Sequence, residues 1–448
     1  MSDFLFARSQ MALSLAFHIV FAAVGIGMPL LMAISEGLWL RTQDNTYLIL
    51  AKRWARGTAI MFAVGAVSGT VLSFELGLLW PGFMAYAGPI IGMPFSLEGF
   101  AFFLEAIFLG IYLYGWNRIS PVAHWWAGVG VLISGTLSGI FVVSANGWMN
   151  TPTGFDMVNG QVTAIRPLEA MLNPAAFPEI LHMTVAAFQS VGMLVAGIHA
   201  YMLLRDPRNL FHRRALAIAL GVGMVFSILQ PFVGDHSAKA VAVNQPIKLA
   251  ALESQWESQP CAPLRIGGIP NEETQTTAFA IEIPCGLSFL AFGDINAPVM
   301  GLNEVPKEEW PPIAVTHVAF QIMVGLGMFM MGTSLLGLFL IWRRRGLPDQ
   351  PWYLWLVAIC APMGMIAIEA GWTVTEVGRQ PWIIYNVMRT EEAVTPMPGL
   401  VVPFTTFTLL YIILGIAVVV LLQRQVFASP MIQPAHEEEM EKDAYDPA

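Results

Sequence analysis

The chain has 448 residues, 56% of them hydrophobic and 12% charged, and a mean hydropathy of +0.62. Soluble domains carry about a quarter charged residues, so a soluble globular protein is excluded and a polytopic membrane protein is indicated. The net charge of −9 sits mainly in loops and an acidic tail, and no basic stripe suggests nucleic acid.

A single arginine, Arg8, precedes the first apolar run, and no small-residue cleavage site follows it. The run is therefore expected to be a permanent first span rather than a removed leader. Runs of about 20 apolar residues cross a bilayer as helices. About nine occur, near 13–35, 57–80, 95–116, 125–144, 182–204, 215–234, 313–342, 353–373 and 402–423. The expected fold is thus all-α, with about nine transmembrane helices. No internal repeat of the inverted-repeat transporter kind is visible. The chain divides into six spans (1–234), one long connection rich in Pro, Gly and Glu (235–312), three further spans (313–425) and an acidic tail (426–448).

Cytoplasmic links carry an excess of Lys and Arg. The link after the first span holds Arg41, Lys52, Arg53 and Arg56, and the link after the third holds Arg118. The fifth is followed by Arg205, Arg208, Arg213 and Arg214, and the seventh by Arg343, Arg344 and Arg345. This pattern predicts an N-terminus and a long connection outside, and a C-terminus in the cytoplasm.

Ionisable groups at membrane depth are costly and usually functional. His18 lies in span 1, Glu98 and Glu105 in span 3, His182 at the start of span 5, Met323 in span 7, and Glu369 and Glu376 in span 8. By this topology all but Glu105 fall in the outer part of the membrane. Glu98 and Glu105 are seven apart and share a helix face, with Glu105 about 10 Å deeper. Stacked carboxylates suit a proton relay, and His, Met and carboxylate at one depth suit axial ligation of heme iron. No CxxCH occurs, so such a heme would be non-covalent. His199 and His317 read as structural, and Glu75 as one end of an interhelical bond. In the outer connection, QPIKLAALESQWESQP reads as a short amphipathic helix with an apolar stripe of Leu249, Leu252 and Trp256. It would be either a surface helix on the membrane or a lid over an amphiphilic ligand. Cys261 and Cys285 lie in the same connection, where oxidation is permitted, and are expected to pair. From these residues alone a proton-coupled transporter or channel stands as the rival to a heme enzyme.

The stretch EAGWTVTEVGRQPW at 369–382, the segment KLAALESQWE and the histidine of the first span resemble subunit I of cytochrome bd-type quinol oxidases. The resemblance runs nearly to the acidic tail. The short loop resembles the short-loop branch, and GRQPWIIYNVMRT resembles the cyanide-insensitive subgroup. It implies nine transmembrane helices binding a low-spin heme b, a high-spin heme b and a heme d, or a heme b in its place. It implies His182 and Met323 as ligands of the low-spin heme, Glu376 of the high-spin heme b, and His18 of the heme where O2 is reduced. It further implies Glu98 beside that iron, Glu105 on a cytoplasmic proton path, Lys248 and Glu253 at the quinol site, and Arg8, Trp372 and Arg379 packed near the hemes. The family works with a homologous subunit II, often with a small single-helix subunit, in a bacterial or archaeal cytoplasmic membrane. One departure stands out. Some members carry arginine two positions before the methionine ligand, where this chain has Gln321, and a neutral amide cannot replace that charge.

Overall fold

A computed structural model describes residues 2–158 and 161–427; the acidic tail lies outside them apart from its first two residues. Among the described residues nine helices are long and apolar enough to cross a membrane. They are α1 (Asp3–Thr42), α2 (Asn45–Leu79), α3 (Pro81–Tyr114), α4 (Pro121–Asn150), α6 (Ala176–Arg205), α7 (Leu210–Asn244), α10 (Ile313–Arg344), α11 (Pro351–Val377) and α13 (Val401–Leu422). Four short helices lie between them: α5 (Pro167–Met171), α8 (Pro246–Leu252), α9 (Gly286–Phe292) and α12 (Thr390–Ala393).

Local chemistry sets the helix starts. The Asp44 side chain accepts from Thr46 N at 2.9 Å to cap α2, and proline opens α3, α4, α8 and α11, where no amide donor is needed. Two boundaries differ from the sequence expectation. Helix α3 begins at Pro81, with only Trp80 between it and α2. The proline- and glycine-rich run 81–94 fell outside the apolar spans, yet proline is tolerated in membrane helices, where neighbours satisfy the freed backbone groups. Helix α7 continues to Asn244, so the outer connection begins at Gln245 rather than at 235.

Helix α6 packs between α7 and α11, α3 lies on α4, and α1 contacts α2, α4 and α6. One apolar core joins α1, α2, α6, α7, α10 and α11 around Leu31, Met32, Met193, Leu216, Tyr353 and Val357. Large apolar side chains such as Phe74, Phe100, Phe232 and Ile413 point outward, which suits a surface facing lipid. The chain is thus a mostly helical polytopic membrane protein.

The long connection between α7 and α10 folds over one end of the bundle. Strands β3 (Leu264–Ile266) and β6 (Ile281–Ile283) form one antiparallel pair, and β4 (Ile269–Asn271) and β5 (Thr276–Ala278) form another; both follow the β1–β2 hairpin (Asp156–Val158, Gln161–Thr163) in the chain. Cys261 and Cys285 are disulfide-bonded, as the sequence suggested. The expected amphipathic helix is shorter and less exposed than its pattern implied. Helix α8 stops at Leu252, and every residue from Ile247 to Leu252 is buried against α7 and α10. Trp256 lies beyond its end, so the stripe does not lie on one helical surface.

Candidate functional site

Three candidate ligands each face a glycine on the next helix. His18 of α1 stands against α2, where its Nδ1 is 2.9 Å from Ser68 Oγ. That hydroxyl spends its single proton on Gly65 O at 3.1 Å. It therefore accepts from His18 Nδ1–H, which leaves the lone pair on Nε2. This is how a metal-binding histidine is commonly oriented. A Cβ on Gly69 would lie 3.0 Å from His18 Cε1. His182 of α6 faces α7, with the Gln230 amide nitrogen 3.3 Å from each ring nitrogen. A Cβ on Gly234 would stand 3.4 Å from its Cε1. Met323 of α10 faces α11, and a Cβ on Gly371 would sit 3.0 Å from its sulfur.

Glu376, at the end of α11, belongs to a buried polar network. Its Oε1 accepts from Asn146 Nδ2 at 2.5 Å and its Oε2 from Arg379 Nη2 at 2.5 Å. Arg379 is 2% exposed, donates through Nη1 to Asn150 Oδ1 at 3.1 Å, and keeps a buried Nε without a partner. Asn150 is the hub. Its Oδ1 also accepts from Lys248 Nζ at 3.0 Å, and its Nδ2 donates to Glu179 Oε1 at 2.9 Å. Two cations and two carboxylates are thus tied through one neutral amide, the condition under which buried charge is tolerated. Burial, then the like charge of Arg379, push the Lys248 ammonium below the usual lysine range, against the pull of Glu179 and Glu376.

Lys248 and Glu253 do not meet. Lys248 also donates to Thr375 O at 3.3 Å, at the end of α11. Glu253 caps α8 beneath the β3–β6 hairpin, where Arg265 donates to the Glu253 and Ser254 carbonyls and to Gln255 Oε1. The Glu253 carboxyl is 3% exposed, and its Oε2 has no hydrogen-bond partner. Burial raises it to about 7, opposed by Arg265. Gln321 has a definite use: its amide donates to Arg265 O at 3.0 Å and accepts from Gly267 N at 2.9 Å. Where an arginine would carry charge, this chain fastens the outer hairpin to α10. His317 adds to the clasp by bridging Leu252 O and Gly267 O at 2.7 and 3.0 Å, in keeping with its structural reading.

Deeper in the bundle, Glu98 accepts from Ser138 at 3.2 Å. Glu105, 6% exposed, lies between Gly25 of α1 and Gly135 of α4. Trp372 packs with Ile19, Ala23, Met183 and Ile368, joining α1, α6 and α11. Arg8 lies 5.4 Å over the Phe4 ring. Glu369 has a buried Oε1 without a partner. Glu75 accepts from Gln10 and Ser14, the interhelical bond expected of it. The sequence did not single out Ser68, Asn146, Asn150, Glu179 or Gln230. Three carried a signal: Asn146 and Asn150 are four apart on one face, and Glu179 is three before His182.

Residues 6–430 match the family model of cytochrome bd terminal oxidase subunit I. The chain belongs to that family. It is 38% identical over 428 residues to a protein of Bacillus subtilis (strain 168) named putative cytochrome bd menaquinol oxidase subunit I, covering 94% of this chain and 96% of the relative. It is 31% identical to the cytochrome bd ubiquinol oxidase subunit 1 of the same organism, covering 95% of this chain and 94% of that relative. The solved bd oxidase from Geobacillus thermodenitrificans is similar with a TM-score of 0.90 and 39% identity, over 96% of this chain and 99% of that one. Membership makes this subunit I part of a respiratory oxidase complex with a second subunit, and implies heme and quinol. The residues fit heme: a histidine with its Nε2 lone pair free, three ligand candidates each facing a glycine, and a buried arginine with an unused donor for a carboxylate.

Proposed function

We propose that the chain is the heme-bearing catalytic subunit of a quinol:O2 oxidoreductase in a bacterial or archaeal cytoplasmic membrane, taking quinol of the menaquinol or ubiquinol class named for its relatives. The observation that carries this reading is the buried network linking Lys248 of the loop helix through Asn150 and Arg379 to Glu376. It ties the loop that would meet substrate to a candidate iron ligand. His182 and Met323 would hold a low-spin heme b, Glu376 a high-spin heme b, and His18 a heme d or a heme b in its place. When bound, the hemes supply the electron transfer and oxygen chemistry.

The chain's own residues handle substrate and protons. Glu253, with its carboxyl near 7 and one oxygen free, accepts a proton from the quinol hydroxyl. Lys248 orients the head group. Arg8, Trp372 and Arg379 would pack against the hemes, and the unused Arg379 Nε–H would be available to a propionate. The basic ends of α1, α6 and α10 (Arg41, Arg205, Arg343, Arg344) favour a cytoplasmic position for that side of the bundle and an outside position for the loop. Quinol protons then leave outside, while Glu105 passes cytoplasmic protons toward Glu98. Charge separates across the membrane without a dedicated pump. A small single-helix subunit would complete the complex with subunit II. A reduced-minus-oxidised spectrum with pyridine hemochrome analysis, alongside quinol-driven O2 consumption by the purified complex, tests the reading. Cofactor-loaded material without heme bands or oxidase turnover would overturn it.

A further inference from the structure

A second buried cluster lies at the opposite end of the bundle from the loop. Glu36 of α1, Tyr112 of α3 and His124 of α4 are each at most 1% exposed. His124 Nε2 is 2.8 Å from Tyr112 O. A carbonyl only accepts, so Nε2 carries a proton. His124 Nδ1 is 2.7 Å from Glu36 Oε1, and one proton lies between these two atoms. Two polar atoms of the same cluster, Glu36 Oε2 and the Tyr112 hydroxyl, are buried without a full hydrogen bond, and the Tyr112 side chain interacts with that of Glu36. Buried polar atoms without a full hydrogen bond are rare and call for an explanation, and here a carboxylate oxygen and a phenol stand side by side.

The cluster lines up with Glu105. Glu98, Glu105 and Tyr112 are spaced seven apart on α3 and so share one face. Side chains lean toward the helix N-terminus, which tips the Tyr112 phenol toward the Glu105 turn. Glu36 lies eleven residues from Gly25 on α1, and His124 eleven from Gly135 on α4. Eleven residues is about three turns, so each pair shares a face. Gly25 and Gly135 are the glycines that flank Glu105: a Cβ on them would lie 3.7 Å from Oε1 and 3.1 Å from Cδ. One seam between α1, α3 and α4 therefore holds Glu105 above and the cluster below. The lower end lies beside the α3–α4 turn. Trp116 stacks on His124 with centroids 3.9 Å apart, Lys52 lies 5.5 Å over Trp116, and Asn117 and Arg118 are exposed.

We propose that Glu36, His124 and Tyr112 form the cytoplasmic mouth of the proton path to Glu105. A proton from water joins Glu36 Oε2, Tyr112 accepts it while releasing its own hydroxyl proton along the seam, and the His124–Glu36 bond holds the carboxylate in place throughout. Nothing is oxidised, and the cluster returns to its starting state after each transfer. The inference rests on the oxidase reading and on Glu105 as the inner carboxylate.

Glu36→Gln and Tyr112→Phe test it in the assembled complex. Glutamine still donates to His124 Nδ1 and phenylalanine keeps the ring, so packing is retained while the proton-carrying atoms are lost. Heme spectra and anaerobic reduction by quinol should match wild type. O2 consumption should fall about tenfold or more, with a deficit that widens as pH rises. Dye-reported proton uptake from the inside of proteoliposomes should slow by the same factor. Wild-type turnover and an unchanged pH profile in both variants would overturn the proposal, as would lost thermal stability with a wild-type pH profile. If Glu36→Gln fails to assemble, Tyr112→Phe decides alone on the same readouts. An inactive wild-type complex would instead count against the oxidase reading itself.

Discussion

Asn150→Ala is the most demanding test of the outer network. The change removes an acceptor shared by Lys248 at 3.0 Å and Arg379 at 3.1 Å, and a donor to Glu179 at 2.9 Å. Hydrogen bonds to charged groups are worth about 1.5–3 kcal/mol each, which sets a raw loss of roughly 4–9 kcal/mol. Water can recover part of it, because a small cavity lined by Glu179, Gln245 and Thr151 adjoins the site. Breaking one partner out of a buried charged set typically costs about 3–5 kcal/mol, and that is the expected net. In a chain of this size the melting temperature of the detergent-solubilised complex should drop by about 3–5 °C. The Lys248–Arg379 repulsion is no longer offset, so the Glu376–Arg379 pair should loosen and the absorption of the heme proposed at Glu376 should shift. Differential scanning fluorimetry and the reduced-minus-oxidised spectrum read both effects. A melting temperature within about 1 °C of wild type, together with an unaltered spectrum, would show that Asn150 merely occupies space.

Four further outcomes are expected. For Glu253, raised to about 7 by burial, the basic form is scarce at pH 6 and predominates at pH 8, so kcat/KM for quinol should climb through neutral pH; a climb that persists in Glu253→Gln would exclude it as proton acceptor. Ser68→Ala removes the acceptor that fixes the His18 tautomer, and should weaken retention of the heme at His18 by about 10–100-fold, measured by heme content after detergent dilution. His182→Ala should abolish the low-spin heme and quinol oxidation together; full heme content would end its assignment as a ligand. Gln321→Ala frees the hairpin at Arg265 and Gly267, and should raise KM for quinol severalfold while leaving heme spectra alone. A protease-protection assay should show faster cleavage within 256–284 in that variant, and equal cleavage would mean the clasp is dispensable.

Hydropathy located all nine spans because lipid imposes a length and a composition on each. It did not locate the start of α3, since proline and glycine signal breaks in water but not in a bundle. The candidate ligands were legible because a histidine or carboxylate is anomalous in an apolar run. Their glycine neighbours were not, because Gly69, Gly234 and Gly371 matter only through the helix each one faces. Asn150 escaped notice for a related reason: a neutral amide at a span end costs little by itself, and its role arises from groups contributed by α6, α8 and the turn after α11. Glu36 and His124 fall one residue outside the expected spans 13–35 and 125–144, and only the structure shows them buried and bonded to each other. The α8 pattern misled because amphipathic periodicity presumes one wet face, and this helix has none.

The clasp that joins the outer hairpin to α10 bears on how a substrate would arrive. A disulfide, the Gln321 amide pair and the His317 bridge hold the loop as a fixed roof rather than a hinged flap. The loop has already lost its freedom during folding, so little ordering entropy remains to oppose binding. A quinol bound beneath such a roof, as proposed, would be selected by the fit of its head group rather than by closure. Association should then show no slow conformational phase.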